Sequence, residues 1–284
     1  MARTVAPASL AAVVALACAA PARAQPMADD LDAHAAVVRD RLDGRGFTVL
    51  VEPPFVVIGD EAPAKVRRRA ETTLRWAVSR LEKQFFPRRP DRVIEIWLFR
   101  NETTYRRGAR ELFGDDPTTP YGYYSADDDA IIMNIGPGAG TLVHELVHPY
   151  MEANFPGVPS WMNEGLASLY ERPVDRDGAI WGLPNWRLRN LKREIRAGRL
   201  PPLPDLLATS TAAFYDAEYD SYAFARYLLL YLQEQGTLVD FYRRFLAARR
   251  DDPTGVATLR AVLGETDLAA FQRRWARWVL RLEE

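Results

Sequence analysis

The feature that most restricts this chain is a change of apolar period near Gly140. Before that point, strand-like and helix-like stretches take turns. "FTVLVEPPFVVIG" holds two β-rich runs broken by Pro53-Pro54, and "RVIEIWLFRN" sets Val93, Glu95 and Trp97 against Ile94, Ile96 and Leu98 in a mostly buried strand. Helical spacing predicts helices over Leu31–Gly46, Ala62–Phe86 and Glu102–Phe113. "PYGYYSADDDAIIMNIG" reads as a hairpin, Tyr121–Tyr124 against Ala130–Ile135, with the acidic turn Asp127-Asp128-Asp129 taken as solvated rather than as an amine anchor or calcium site. After Gly140 only helical periods are read, through "TLVHELVH", "SWMNEGLASLYE", "NWRLRNLKREIRAG" and "YAFARYLLLYLQEQG" to the end. The class is α+β, with a sheet-containing lobe at about 30–154 and an all-helical lobe at about 155–284. The proline-rich links at Pro156–Pro159 and Pro201–Pro204 are too short to part independent domains, so 25–284 reads as one domain.

The N-terminus stands apart. Arg3, an apolar run over Ala8–Ala20 and the small residues Ala22-Arg23-Ala24 have the layout of a signal peptide spanning 1–24, cut after Ala24. Export to the periplasm or medium is expected. The only cysteine, Cys18, follows Ala15-Leu16-Ala17, a poor lipobox, so acylation at Cys18 is the lesser alternative. A mature chain without cysteine rests on core packing rather than on disulfides. No later stretch reads as an integral membrane span, and a formal net charge of -1 gives no bulk attraction to nucleic acid.

The whole chain has three histidines, and two of them, His144 and His148, flank Glu145 in "TLVHELVHPYM". Residues four apart on a helix point the same way, so both imidazoles can reach one metal ion. The pattern is H-E-x-x-H, in which the histidines ligate zinc and the glutamate serves as general base. A catalytic zinc needs a third protein ligand and an open position. Glu164, sixteen residues past His148, lies near the start of the next helix in a tryptophan-bearing, otherwise uncharged stretch that reads as buried. A buried acid there needs a partner, and the turn "EANFPGVPS" is short enough to bring it to the histidines. Metal-bound histidines donate their other N–H to an outer acceptor; Glu171, seven residues on, is the first candidate, with Asn163 and Ser168 behind it. Trp181, Trp186, Trp275 and Trp278 read as core rather than as a substrate platform.

"TLVHELVH" followed by "WMNEGLASLYE" resembles the gluzincin zinc metallopeptidases, to which thermolysin and the membrane alanyl aminopeptidases belong, and most of all the bacterial peptidase MA-like group. The resemblance runs from the hairpin before the motif to the helix near Tyr219; the first hundred residues carry no part of it. It implies a thermolysin-like zincin fold, one Zn2+ per chain held by His144, His148 and Glu164, and Glu145 as base. It also implies a sheet edge strand that aligns a peptide or protein substrate, here Ala130–Ile135, and a tyrosine opening a later helix to face the zinc. Counting back from "ARYLLLYL" gives Tyr219 that role, with Tyr222 in reserve and Tyr215 as an interface aromatic.

The chain departs from the family pattern in three places. The interval from the second histidine to the glutamate is shorter, Pro149 follows His148 directly and is expected to kink or loosen the helix, and the Gly-Ala-Met-Glu-Asn amine-binding signature of aminopeptidases is absent. The expected activity is peptide-bond hydrolysis, more endopeptidase than exopeptidase. The alternatives are a degenerate module that only keeps zinc, and a zinc hydrolase of another substrate.

Overall fold

The structure, a computed structural model, describes residues 28–284. The expected leader, its cleavage point and Cys18 lie outside the described residues. Helix α1 (Ala28–Arg41) leads into strands β1 (Thr48–Glu52) and β2 (Phe55–Gly59). Helices α2 (Pro63–Arg69) and α3 (Arg75–Gln84) follow, joined by one π-helical turn at Ala70–Leu74. Next come β3 (Ile94–Phe99), α4 (Glu102–Gly108) with a π-helical turn at Ala109–Phe113, β4 (Gly122–Ser125) and β5 (Ala130–Asn134). The protein is α+β, and its main sheet is mixed. The strand order is β1-β2-β3-β5-β4, parallel at β2/β3 and β3/β5 and antiparallel at either end.

Alternation along the strands sorts the side chains onto two covered faces. Val56, Ile58, Trp97, Phe99 and Ile132 pack under α1 and α4, where His34 Nε2 lies 2.8 Å from Glu95 Oε1 and fixes α1 to the sheet. Phe55, Val57, Ile94, Ile96, Leu98, Ile131 and Met133 face the other way, into a core that continues without a break through the remaining helices to Val279. Those helices are α5 (Gly140–Asn154), α6 (Ser160–Leu169), α7 (Arg187–Arg196), α8 (Leu203–Leu207), α9 (Thr211–Tyr215), α10 (Ser221–Glu234), α11 (Leu238–Ala248), α12 (Val256–Leu263) and α13 (Leu268–Arg281). Among the described residues no helix is long and apolar enough to cross a membrane.

The expected all-helical lobe is corrected by a second sheet, the hairpin β6 (Pro173–Arg176) and β7 (Ala179–Gly182). Its turn is Asp177-Gly178, both with positive φ (54° and 74°), the backbone that a tight two-residue hairpin requires. The fully buried Arg226 of α10 ties this hairpin to α6: its guanidinium donates to the carbonyls of Ser168, Leu169 and Leu183. Carbonyls that would be orphaned at a helix C-terminus are thereby satisfied. Burial pushes the Arg226 pKa down to about 10, so it stays cationic.

Two close approaches set where the site residues sit. Gly140 opens α5, and a Cβ there would lie 2.0 Å from the carbonyl oxygen of Glu171, so only glycine lets that strand of chain pass beside the first turn of the helix. Gly165 lies where α6 crosses α10; a Cβ would meet Leu229 at 3.1 Å and Ala225 at 3.2 Å. The two helix backbones therefore meet with almost nothing between them.

Candidate metal centre

Helix α5 carries His144, Glu145 and His148 on a largely buried length, and runs on through Pro149 to Asn154. A kink or loosening was expected at the proline; helical structure continues through it to Asn154. What the proline removes is the N–H that would have bonded the Glu145 carbonyl, while the orientation of His148 is set from outside the helix: its Nδ1 lies 3.1 Å from Oδ1 of Asn163. The two imidazole rings are 5.1 Å apart between centroids. His144, Glu145 and His148 each offer a ligand atom, all within 4.8 Å of one another, and this buried group could hold a metal ion.

Helix α6 faces α5 and brings Glu164 to the same place. Glu164 Oε2 lies 3.3 Å from His144 Nε2 and 4.0 Å from His148 Nε2, and it has no hydrogen-bond partner although it is buried. The other oxygen, Oε1, accepts from the Tyr215 hydroxyl at 2.6 Å. Burial raises the carboxyl pKa, but the nearby charges of His148 and His144 and the hydrogen bond from Tyr215 override it, holding Glu164 down at about 2. It is a buried anion. Glu145 differs: burial comes first and raises its pKa above the usual carboxylate range, against the pull of His144 and His148, and its nearest partner is His148 Nε2 at 3.7 Å.

Behind His144, Glu171 Oε1 stands 3.4 Å from Nδ1, a contact short of a hydrogen bond. Glu171 is held by Arg187 and Asn185, and Arg187 with His144 keeps its pKa at about 2 against burial. Burial alone would lower the His144 pKa; the carboxylates of Glu164 and Glu171 raise it to about 10. Glu171 and Asn163 thus stand beside the outer ring nitrogens of the two histidines, one each. Ser168 does not join them, and its hydroxyl is buried without a partner.

These residues line a cleft of about 1010 Å³ that also takes in Gly122–Tyr124 of β4, Glu152, Trp186, Arg187, Tyr215 and Tyr222. Several expectations are corrected here. The edge of the sheet is β4, not Ala130–Ile135, because β5 sits between β3 and β4. Tyr219 is not on the cleft wall; it packs on the core and its hydroxyl meets Thr209. Tyr222, in the first turn of α10, is on the wall, and among the described residues its hydroxyl makes no hydrogen bond. Burial first, then Glu164, Glu145 and Glu171, push its pKa up, so the phenol stays protonated. Tyr215 is not a plain interface aromatic, since it bonds Glu164. Trp186 is 54 % exposed at the rim rather than in the core, whereas Trp275 is buried. The acidic turn is occupied by its own neighbours: Asp129 pairs with Arg92, and Asp128 accepts from Ser125 at 2.6 Å.

The sequence reading missed Arg187, which sits in the arginine-rich start of α7 and looks there like one more solvated charge. It also missed the rim. Tyr121, Trp186 and Tyr215 all border the cleft, and the one other large apolar side chain exposed among the described residues is Val37, on α1. Neither a scan against protein-family models nor a search of curated proteins finds a match to this chain.

Proposed function

We propose that this protein is a zinc-dependent peptidase of the gluzincin type, with His144, His148 and Glu164 as the metal ligands. The observation that carries the reading is the Glu164 Oε2 atom: anionic, buried, without a hydrogen-bond partner, and beside both imidazole Nε2 atoms. A buried carboxylate oxygen without a hydrogen-bond donor is costly unless a cation stands beside it, and a metal ion held by the two imidazoles would take the place that the His144 proton fills here. Ligands about 2.1 Å from a tetrahedral zinc ion stand roughly 3.4 Å apart, and the His144–Glu164 separation of 3.3 Å fits. Three carboxylates (Glu145, Glu164, Glu171) against the one guanidinium of Arg187 also leave the site favouring added positive charge. Glu145 is within ligand distance of both histidines as well, but Glu164 has the orphaned oxygen, and Glu145 has the raised pKa that suits a base.

Zinc bound there would lower the pKa of a water and polarise a carbonyl. The chain's own groups do the rest. Glu145 accepts the proton of the attacking water at a carboxylate oxygen and hands it to the leaving amine nitrogen as the C–N bond breaks. The Tyr222 hydroxyl donates to the carbonyl oxygen as negative charge builds on it. β4 is an outer strand of the sheet and its residues line the cleft, so a peptide could pair along it. Aromatic rings at Tyr121, Trp186 and Tyr215 would meet its side chains. The mixed sheet beside α5 is compatible with a thermolysin-like fold.

Elemental analysis of protein purified without chelator is expected to find one zinc per chain, and digestion of a mixed peptide library is expected to stop on chelation and resume on adding zinc. Protein that folds yet takes up no zinc would overturn the reading. Zinc uptake with no peptide cleaved would point to one of the two alternatives, a zinc-keeping module or a hydrolase of another substrate.

A further inference from the structure

Arg187 has no part in the reaction just described, yet it touches both sides of the site. Its side chain is only 15 % exposed. Nε donates to Glu171 Oε2 at 2.8 Å and Nη2 to Oε1 at 2.6 Å, a two-pronged grip that fixes the plane of the carboxylate. Asn185 adds a third bond, Nδ2 to Glu171 Oε2 at 2.8 Å, and its own Oδ1 accepts from the Arg187 backbone N–H at 3.1 Å. The carboxylate so held is the one beside His144 Nδ1.

The flat face of the guanidinium is in use as well. It lies over the Trp186 ring at 4.2 Å and over the Tyr222 ring at 5.1 Å. Nη1 stands 3.9 Å from Asp220, whose carboxylate caps α10 by accepting from the Ala223 N–H at 2.9 Å. With its fork taken by Glu171 and a second acid alongside, Arg187 is not free to anchor a substrate carboxylate. Its remaining capacity is to hold things in place.

We propose that Arg187 is a positioning residue, which fixes Glu171 against His144 and the Tyr222 ring against the cleft from one planar group. The proposal rests on the zinc-peptidase reading. A lysine would keep the charge but has neither the fork nor the flat face.

The test compares the full chain with its Arg187→Lys, Arg187→Met, Glu171→Gln and Glu171→Gln/Arg187→Met variants. Zinc affinity is measured by competition with a chromophoric chelator, and kcat and KM are measured at saturating zinc. Arg187→Met and Arg187→Lys are each expected to weaken zinc binding by about tenfold or more, the usual consequence of losing an outer partner of a metal-bound histidine. At saturating zinc they are expected to lower kcat with KM little changed, because the Tyr222 donor is displaced. Acting through Glu171, Arg187 should add little to the affinity loss of Glu171→Gln in the double variant. Arg187→Lys with near-normal zinc affinity and kcat, or losses that multiply independently in the double variant, overturn the proposal. If Arg187→Met strands the buried carboxylate and fails to fold, Arg187→Lys carries the test, and the double variant, free of that carboxylate, reports whether zinc binding is still weakened. A parent chain that takes up no zinc fails at an earlier step and sinks the peptidase reading itself.

Discussion

Glu145→Gln is expected to lower peptide turnover about a thousandfold while zinc content and melting temperature stay near those of the parent. A positioned general base contributes about 10²- to 10⁴-fold, and glutamine fills the same space while losing the ability to take a proton. The environment points to that role. Glu145 is buried beside the histidines, its carboxyl is held above the usual range, and it lacks the second helix's hold that Tyr215 gives Glu164. A higher pKa makes a carboxylate a better proton acceptor. Steady-state kinetics on one accepted peptide, with metal analysis of the same preparation, decides it. Near-parental turnover would remove Glu145 from the chemistry, and loss of zinc would make it a ligand instead.

Tyr222→Phe is expected to cost roughly a hundredfold in kcat, the scale set by removing one preorganised donor to an oxyanion, and Tyr219→Phe almost nothing. The two differ by three positions, yet Tyr222 lies on the cleft wall and its hydroxyl makes no hydrogen bond among the described residues, whereas Tyr219 lies outside the wall with its hydroxyl on Thr209. Tyr215→Phe should behave in a third way. Its hydroxyl bonds Glu164, so zinc affinity rather than kcat at saturating metal is expected to fall. Measuring kcat and zinc affinity for the three variants separates the roles. A large kcat loss in Tyr219→Phe with none in Tyr222→Phe would reverse the assignment.

That His144, Glu145, His148 and Glu164 come together was legible in the sequence because it depends on local periodicity: two helices, one motif and a short turn. The sheet strands before Gly140 were legible for the same reason. Which tyrosine lines the cleft was not legible, because the start of a helix is fixed by its cap and not by its apolar run. Asp220 caps α10, which puts Tyr219 outside the helix and Tyr222 within its first turn; the capping aspartate was the signal. The hairpin β6–β7 had its own signal, Asp177-Gly178 between Val174 and Ile180, hidden by strands of only four residues. Ala130-Ile131-Ile132-Met133 is a continuous apolar run, the pattern of a strand buried on both faces, and that argued against an edge. Arg187 carried no such mark. Only packing distinguishes it from the exposed arginines that follow it along α7.

The near-contact of α6 and α10 at Gly165 has a consequence for how the protein responds to heat. Glu164 precedes that glycine by one residue, and Tyr222 lies one turn before Ala225 on the opposing helix. The span between these two side chains therefore runs through a close helix contact, where a side chain at position 165 would collide with Leu229 and Ala225. A pair of residues held by such a contact is expected to keep its spacing until the core itself opens, unlike one that hangs on mobile loops. Inactivation and global melting should follow a single curve.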